Sequence, residues 1–166
     1  MAAGGPAGGA DVLIRGFQPS DAEAFRALNE AWITREFALE DEDRRVLADP
    51  QGVYVETGGD VLMAVVGAQP VGCVALLWHD ARTLEICKMT VAADHRGTGL
   101  GRALLEAAIA RCRALGAREV YLESGRKLTP AISLYRSMGF QELADDEGHP
   151  SPYARCDIRM RLSLAD

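Results

Sequence analysis

Residues 84–102 have the sequence L-E-I-C-K-M-T-V-A-A-D-H-R-G-T-G-L-G-R, in which three glycines separate a strand pattern from a helix pattern. The first eight residues are rich in side chains that favour β-structure. After the glycines the apolar side chains follow a helical period, and they are Leu104, Leu105, Ala108, Ile109, Cys112 and Leu115. Gly116 then stands where a helix C-cap is expected. The segment predicts a strand that ends at Val91 and a helix that begins near Gly99. The apolar stripe of this helix covers residues 101–115.

Residues 96–102, R-G-T-G-L-G-R, form what we call the glycine-rich turn. Its three glycines let the backbone approach a bulky anion and turn N–H groups toward it, and the start of the helix adds amides with partial positive charge. Arg96 and Arg102 can add charge-assisted hydrogen bonds. This arrangement favours a diphosphate ligand. The alternative is a tight strand-to-helix turn whose arginines are solvated.

Two common phosphate-binding motifs do not fit the glycine-rich turn. The G-x-x-x-x-G-K-[ST] loop is excluded because no Lys-Ser or Lys-Thr follows the glycines. The dinucleotide motif G-x-G-x-x-G is excluded because Leu104, and not glycine, occupies its sixth position. If the turn binds phosphate, it therefore belongs to another class of phosphate-binding structure.

The residues on both sides of this segment predict an α/β fold, a mixed sheet with helices on its faces. Antiparallel strands separated by glycine-rich connections come first and a β-α-β-α unit follows, which is typical of such a fold. The predicted strands are 12–17, 53–56, 61–66, 71–78, 84–91, 119–122, 140–143 and 156–164, and the other predicted helices are 22–37, 41–48 and 130–138, the last capped by Thr129. We expect residues 1–10, rich in glycine and alanine, to be a disordered tail and residues 11–166 to form a single domain.

The composition limits what the chain can bind. With 18 Lys and Arg against 24 Asp and Glu, the net charge of −6 argues against nucleic acid or an anionic membrane as the main partner. No apolar run approaches the roughly 20 residues that span a bilayer, and the N-terminus lacks a signal-peptide pattern, so we expect a cytoplasmic protein. We expect no metal, because no cluster has metal-ligand spacing. The cysteines are expected to be reduced packing residues, and they are Cys73, Cys87, Cys112 and Cys156.

Several ordered motifs resemble those of the GNAT acetyltransferase superfamily. R-G-T-G-L-G at 96–101 is similar to its [QR]-x-x-G-x-[GA] signature, residues 84–91 resemble its fourth strand, and L-Y-R-S-M-G-F at 134–140 resembles its later helix motif. The resemblance covers residues 12–164. It implies a central mixed, mostly antiparallel sheet of about seven strands flanked by about four helices, with acetyl-CoA (coenzyme A) as the co-substrate.

The resemblance also implies where acetyl-CoA binds. In the superfamily the fourth and fifth strands splay apart, and the pantetheine arm enters the gap and pairs with the backbone of the fourth strand. By this resemblance the cofactor-binding residues are Met89, Val91, Arg96, Gly97, Thr98, Gly99, Leu100, Gly101 and Arg102. Strand alternation further predicts that the side chains of Met89 and Val91 share a face with Cys87 and Glu85.

Two side chains are candidate catalytic residues. Glu85 stands eleven residues before Arg96, which is the spacing of superfamily members that use a strand-four glutamate as general base. An acceptor ammonium with a pKa of about 10 must lose a proton before it can attack. Tyr135 occupies the tyrosine position of the L-Y-x-x-x-G-F motif, which implies that it donates a proton to the departing thiolate. The alternatives are a glutamate that pairs with a cation and a tyrosine that packs under the sheet.

These features favour N-acetyl transfer from acetyl-CoA to a primary amine of a small molecule or protein, by direct attack in a ternary complex. The alternatives are a non-catalytic acyl-CoA sensor or regulatory module and a dimerising structural domain, and Glu85 and Tyr135 argue against both. His79 and His149 could reach the acceptor, but a loop histidine is more often solvated. Acidic residues near 41–42 and 145–147 favour a cationic acceptor, although such runs are usually solvated too. The oligomeric state is open, and sheet-edge homodimers are frequent in the superfamily.

Overall fold

The computed structural model describes residues 11–145 and 147–164, so the predicted disordered tail, residues 1–10, lies outside the described residues. The strands are β1 Val12–Gly16, β2 Asp60–Val66, β3 Gln69–Trp78, β4 Thr83–Val91, β5 Glu119–Ser124, β6 Gln141–Glu142 and β7 Ile158–Ser163. The α-helices are α1 Ala22–Glu36, α2 Asp41–Ala48, α3 Leu100–Ala114 and α4 Thr129–Ser137. None of the helices within these ranges is long and apolar enough to cross a membrane.

One seven-stranded sheet runs through the molecule in the order β1-β2-β3-β4-β5-β7-β6. The neighbours β4 and β5 are parallel, whereas the other neighbouring strands are antiparallel. Helices α3 and α4 pack on one face of the sheet, which we call the α3 face, and α1 and α2 pack on the other, the α1 face. This arrangement confirms the predicted mixed, mostly antiparallel sheet between helices.

The predicted strand over residues 53–56 is wrong. Residues Gln51–Val55 form a π-helical turn instead. This turn places Tyr54 in the core, where its ring meets the edge of Phe25 with 6.1 Å between centroids. A single helical turn therefore buries an aromatic side chain that the strand pattern assigned to the sheet.

The start of α4 also differs from the prediction. Leu128 holds the N-cap position and makes no side-chain cap hydrogen bond, while Thr129 is already the first helical residue. Pro130 nevertheless lies in the first turn, as predicted. A proline is tolerated there because the amide that it lacks would have no partner within the helix.

Candidate active site

Strands β4 and β5 are paired only over their N-terminal residues. Their register begins with Thr83 opposite Glu119 and ends with Glu85 opposite Tyr121, although β4 continues to Val91. The two strands therefore diverge beyond Glu85. A cleft of about 390 Å³ opens between them, which is a typical size for a ligand site. This divergence agrees with the gap that the family resemblance implies.

Both faces of the sheet contribute to the cleft. From the α1 face it is lined by side chains that include Trp32, Phe37, Glu85, Lys88, Tyr153 and Arg155. From the α3 face it is lined by side chains that include Met89, Pro130, Ala131 and Tyr135. Because the cleft passes between two strands, two molecules can approach each other in it from opposite sides of the sheet.

A β-bulge lies in the part of β4 that borders the cleft. Cys73 pairs with Thr90 and Ala75 pairs with Cys87, so two residue steps on β3 match three on β4. Lys88 accommodates the extra residue with a φ of 51°, which is uncommon for a residue other than glycine. The bulge shifts the alternation of side chains by one position in the middle of the strand.

The bulge makes the prediction of a shared face wrong for Glu85, Cys87, Met89 and Val91. Met89 and Val91 pack against the core on the α3 face, whereas Cys87 packs against the core on the α1 face. Glu85 precedes the bulge in phase with Cys87, so it also faces the α1 side. Glu85, the candidate base, therefore points to the α1 face, whereas the Met89 and Val91 side chains of the same strand point to the α3 face.

The glycine-rich turn connects β4 to α3 with backbone conformations that favour glycine. Gly97 has a φ of 73°, and Gly99, the N-cap of α3, has a φ of 86°. Among the described residues, no backbone N–H from Gly97 to Arg102 donates a hydrogen bond. This run of amides lies at the positive end of a helix of 15 residues. An anion is favoured at such a position.

The two arginines of the glycine-rich turn are held by neighbouring groups. Arg96 Nε donates to the carbonyl of Val91 at 3.2 Å, and burial together with the nearby charge of Arg35 lowers the pKa of Arg96. Arg102 donates to Ser137 Oγ at 2.9 Å and so connects α3 to α4. Neither guanidinium group is therefore committed to a carboxylate at hydrogen-bond distance within the described residues.

The remaining predicted cofactor residues differ in what they can contribute. Met89 lines the cleft, whereas Val91 does not, and the carbonyl of Val91 is already used by an arginine. The side chain of Leu100 is buried in the core, so only its amide is available. The Thr98 hydroxyl donates to a backbone carbonyl of the preceding turn. The structure thus leaves the backbone as the main binding element of this segment.

Tyr135 lies on α4 and lines the cleft. The residue is 9% exposed, and its ring meets the edge of Phe140 with 5.9 Å between centroids. Burial raises the pKa of Tyr135 to about 12. Its hydroxyl has no hydrogen-bond partner within the described residues, so it is free to donate a proton to a molecule in the cleft.

Glu85 lies where β4 and β5 begin to diverge. Its side chain is 12% exposed and lines the cleft, and its Oε2 is 2.8 Å from His79 Nε2. The hydrogen bond to Glu85 raises the pKa of His79 above 6.5, although burial acts in the opposite direction. A histidine that the sequence pattern indicates as solvated is therefore the direct partner of the candidate base.

A buried ion network that the sequence does not predict supports the bulge. Asp43 on α2 is fully buried, and it accepts hydrogen bonds from Lys88 Nζ at 3.0 Å and from both terminal nitrogens of Arg155 at 2.7 Å. Lys88 Nζ also lies 3.0 Å from the hydroxyl of Tyr153. Burial acts to raise the pKa of Asp43, but these cations outweigh it and lower the pKa to about 2. No local sequence signal marks a network whose members lie 45 and 112 residues from Asp43.

Within residues 11–145 and 147–164, no three His, Cys, Asp or Glu side chains lie close enough together to hold a metal ion. The four cysteines are unpaired, and Cys73 and Cys112 are buried.

The chain is similar in sequence to known acetyltransferases. Residues 21–140 match the model of the Acetyltransferase (GNAT) family. Streptothricin acetyltransferase of Streptomyces lavendulae is 32% identical over 162 residues, which cover 80% of this chain and 82% of that protein. Mycothiol acetyltransferase of Thermobispora bispora is 35% identical over 146 residues, covering 78% of this chain and 46% of that protein. N-acetyltransferase family 8 member 2 of Rattus norvegicus is 35% identical over 101 residues, so the chain spans 45% of its length.

Solved structures share the fold. An acetyltransferase of the GNAT family from Staphylococcus aureus Mu50 has a TM-score of 0.85 at 22% identity, covering 93% of this chain and 99% of that one. A putative acetyltransferase from Salmonella typhimurium, solved with its cofactor acetyl-CoA, has a TM-score of 0.72 at 21% identity, covering 94% and 95%. The family match extends from residue 21, the N-cap of α1, to residue 140, just beyond α4, and it includes the glycine-rich turn. This chain therefore belongs to the GNAT acetyltransferase family.

Proposed function

We propose that this protein transfers the acetyl group of acetyl-CoA to a primary amine of a small molecule or a protein. One observation carries the proposal: the free amides of the glycine-rich turn lie beside a cleft that Glu85 and Tyr135 line from opposite faces of the sheet. A base and an acid in one cleft, next to an anion-binding turn, are the groups that direct acyl transfer to an amine requires.

The residues of the site fit acetyl-CoA. The amides of the glycine-rich turn can hold its diphosphate, with Arg96 and Arg102 nearby to add charge-assisted hydrogen bonds. The part of β4 around Met89 has no partner on β5, so its backbone can pair with the pantetheine arm. When bound, acetyl-CoA supplies the acetyl group as an activated thioester. The relative from Salmonella typhimurium that was solved with acetyl-CoA supports this choice of ligand.

Direct attack by the amine is supported by the state of the cysteines that line the cleft. Burial raises the pKa of both Cys87 and Cys156 above its ordinary value. A neutral thiol is a poor nucleophile, so neither side chain is suited to carry the acetyl group as an enzyme thioester. Four unpaired cysteines also favour a reducing compartment, and we place the protein in the cytoplasm.

Proton transfers accompany both the attack of the amine and the departure of the thiol in the proposed reaction. Glu85 accepts one from the acceptor ammonium, whose pKa of about 10 keeps it charged at neutral pH. Tyr135 donates its hydroxyl proton to the sulfur as the carbon–sulfur bond breaks, because a thiolate whose thiol has a pKa of about 8.5 departs more readily when it is protonated. The acceptor nitrogen, which is cationic after the attack, releases its second proton to solvent as the amide forms. Tyr135 then regains a proton from solvent, which restores the resting enzyme.

The charge of the cleft favours a cationic acceptor that arrives from the α1 face. Lys88 and Arg155 line this side, but the two cations are compensated by the carboxylates of Asp43 and Glu40. Glu85 and Glu123 also line it, and Glu85 lies where the pairing of β4 with β5 ends. An ammonium group is therefore attracted to the point where the base is located.

The direct test is release of free thiol from acetyl-CoA in the presence of spermidine, L-lysine, an aminoglycoside or a peptide with a free α-amino group. We expect turnover with at least one of these amines and formation of the N-acetyl product by mass spectrometry. Tight binding of acetyl-CoA without turnover of any amine would instead favour the acyl-CoA sensor.

Replacement of Gly99 tests the glycine-rich turn. We expect Gly99→Val to weaken acetyl-CoA binding by about 30-fold in calorimetry, since a branched side chain at a φ of 86° redirects at least one amide, and a hydrogen bond to a charged group contributes about 2 kcal/mol. Gly116→Val is the matched control. Gly116 has a φ of 90° at the other end of α3, and a Cβ meets nothing within 4 Å at either glycine. Equal affinity losses in both variants would mean that backbone strain, and not the binding turn, accounts for the effect.

Replacement of Glu85 tests the base. We expect Glu85→Gln to lower kcat/KM by about 100-fold at pH 7, because the amide cannot accept the ammonium proton. The deficit should shrink as the pH approaches the acceptor's own pKa of about 10, where the free amine no longer needs a base. Glu56→Gln, at an exposed position outside the cleft, serves as the control and should leave the rate unchanged. A loss that is constant across pH would assign Glu85 to acceptor binding alone.

A further inference from the structure

We propose that His79 is the proton exit of this site: it takes from Glu85 the proton that the acceptor amine has lost and passes a proton to solvent. This inference rests on the proposed function and extends it. A base that accepts a proton in every turnover must also lose it, and the bound acceptor and acetyl-CoA would block the cleft side of Glu85. A second group on the outer side of the carboxylate is therefore needed.

His79 is positioned for that step. Its Nε2 lies 2.8 Å from Glu85 Oε2, and no other hydrogen bond to the Glu85 carboxylate is made within the described residues. The side chain of His79 is 23% exposed, against 12% for Glu85. The imidazole thus lies between a cleft-lining carboxylate and the solvent, and its Nδ1 has no partner among the described side chains.

The imidazole ring is fixed by its neighbours. It stacks on His149 with 4.3 Å between centroids and an angle of 16°, and it meets the edge of the Tyr121 ring at 5.4 Å. The backbone N–H of His79 donates to the carbonyl of Thr83 at 3.0 Å, where β4 begins. These contacts come from two other segments of the chain, so the ring is held at Glu85 more firmly than a solvated loop histidine would be.

The charges around His79 suit a group that gains and loses protons near neutral pH. Glu85 on β4 and Glu123 on β5 are the carboxylates that act on it from the strands, and Asp80 follows it in its own loop. Their combined effect raises the pKa of His79 above 6.5, with the Glu85 hydrogen bond as the largest contribution and burial opposing it. His149 and Tyr121 pack on the ring without bonding to its nitrogens.

The proton path is balanced in three transfers. The ammonium gives its proton to the Glu85 carboxylate, which until then accepts a hydrogen bond from His79 Nε2–H. Tautomer exchange through solvent moves the imidazole proton to Nδ1, the carboxylic acid gives its proton to Nε2, and the imidazolium releases the Nδ1 proton to water, which returns His79 to its starting state. No bond other than those to hydrogen changes, and no further reactant is required.

The pairing itself can be tested without any acceptor. The chain has three histidines, so their ring signals can be assigned by NMR with His→Gln variants. We expect the pKa of His79 in the free protein to lie above 6.5 and to fall toward that value in Glu85→Gln. An unchanged pKa of His79 in Glu85→Gln would show that the two groups are not coupled in solution and would overturn the inference.

The proton exit is tested by kinetics with the amine that is acetylated fastest among spermidine, L-lysine, the aminoglycoside and the peptide. His79→Gln keeps a hydrogen-bond donor to Glu85 but cannot relay a proton. We expect kcat to fall about 10-fold at low buffer concentration with KM for both substrates within about 2-fold, and added imidazole should restore most of the loss. His79→Phe, which also removes the hydrogen bond, should lose more activity and raise KM for the amine.

The outcomes separate the inference from the function on which it rests. Full activity of His79→Gln, or a loss that imidazole does not restore, would assign His79 to orienting Glu85 and overturn the proton exit alone. Absence of turnover in the wild-type protein with all four amines would overturn the proposed function and the proton exit with it. The NMR result would still report whether the two side chains are paired.

Discussion

Tyr135→Phe is expected to lower kcat by about 1,000-fold while acetyl-CoA binding stays within about 2-fold, because the change removes only the proton that the departing thiolate receives. The geometry favours so selective an effect. The ring of Tyr135 is held by Phe140 and the core, so phenylalanine preserves the packing, and the lost hydroxyl leaves no described partner unpaired. Stability should therefore change little.

The pH dependence of the wild-type rate provides a second check on Tyr135. Burial raises its pKa to about 12, so the hydroxyl remains protonated and able to donate throughout the neutral and mildly basic range. We expect no fall in kcat from ionisation of this group below about pH 10. Thiol release measured from pH 6 to 10 would show this.

Tyr54→Phe is the matched control for Tyr135→Phe. Tyr54 is 2% exposed and also packs edge-on against a phenylalanine, but it lies on the α1 face and does not line the cleft. We expect this variant to retain wild-type kcat. If Tyr135→Phe lost less than about 3-fold in kcat, the thiolate would leave unassisted and the assignment of an acid to α4 would be wrong.

The parts of the fold that could be predicted are those that local patterns determine. The glycine-rich turn and α3 follow from a change of apolar period and from glycines at two positions of positive φ, Gly97 and Gly99. Neighbouring residues contain all of that information. The same holds for α2, whose observed bounds, Asp41–Ala48, equal the predicted ones. The mixed, mostly antiparallel character of the sheet followed from connection rules together with the family resemblance.

The bulge in β4 could not be predicted from its own segment. The run from Leu84 to Val91 shows no glycine that would mark an extra residue, and Lys88 adopts its φ of 51° within that run. A backbone conformation of this kind persists when surrounding contacts fix it. Here the contacts are made by Asp43, which is 45 residues away, and by Tyr153, which is 65 residues away.

Contacts that local sequence does not mark also explain why the sequence did not predict the partner of Glu85. His79 and Glu85 lie six residues apart, on the two sides of a short connection between antiparallel strands, and register alone brings them together. His149 comes from a segment close to β7 and completes the packing. Sequence spacing marks Glu85 as a candidate base, but only the strand pairing shows what can receive its proton.

The bulge has a functional consequence that follows from side-chain alternation. Without the extra residue, Glu85 and Met89 would point to the same side of the sheet. With it, the base faces α1, while the cofactor strand presents Met89 toward α3. The proposed acceptor and acetyl-CoA can therefore occupy opposite ends of one cleft. Whatever holds Lys88 in place consequently also determines where the base points.

Asp43→Asn is accordingly expected to have the largest effect on stability. The substitution leaves the buried ammonium of Lys88 without its carboxylate and leaves Arg155 with Glu40 alone. Removal of one partner of a buried ion network costs about 3–5 kcal/mol in the free energy of unfolding. Asp41→Asn on the same helix is the matched control. Asp41 is fully exposed and pairs with Arg44 at 2.9 Å, so its loss should leave the free energy of unfolding nearly unchanged.

The decrease in the free energy of unfolding at acid pH gives an independent measurement on Asp43. Its pKa falls from 3.8 to about 2 in the folded protein, so its ion pairs stabilise the fold above about pH 4, and that contribution is lost as the pH decreases through about 2. The shift corresponds to about 2 kcal/mol. Urea unfolding of the wild type should lose this amount between pH 4 and pH 2, whereas Asp43→Asn should show a flatter profile over the same range. If Asp43→Asn were as stable as Asp41→Asn at pH 7, or lost stability with acid as steeply as the wild type, Asp43 would not be the carboxylate that holds Lys88 in the bulge.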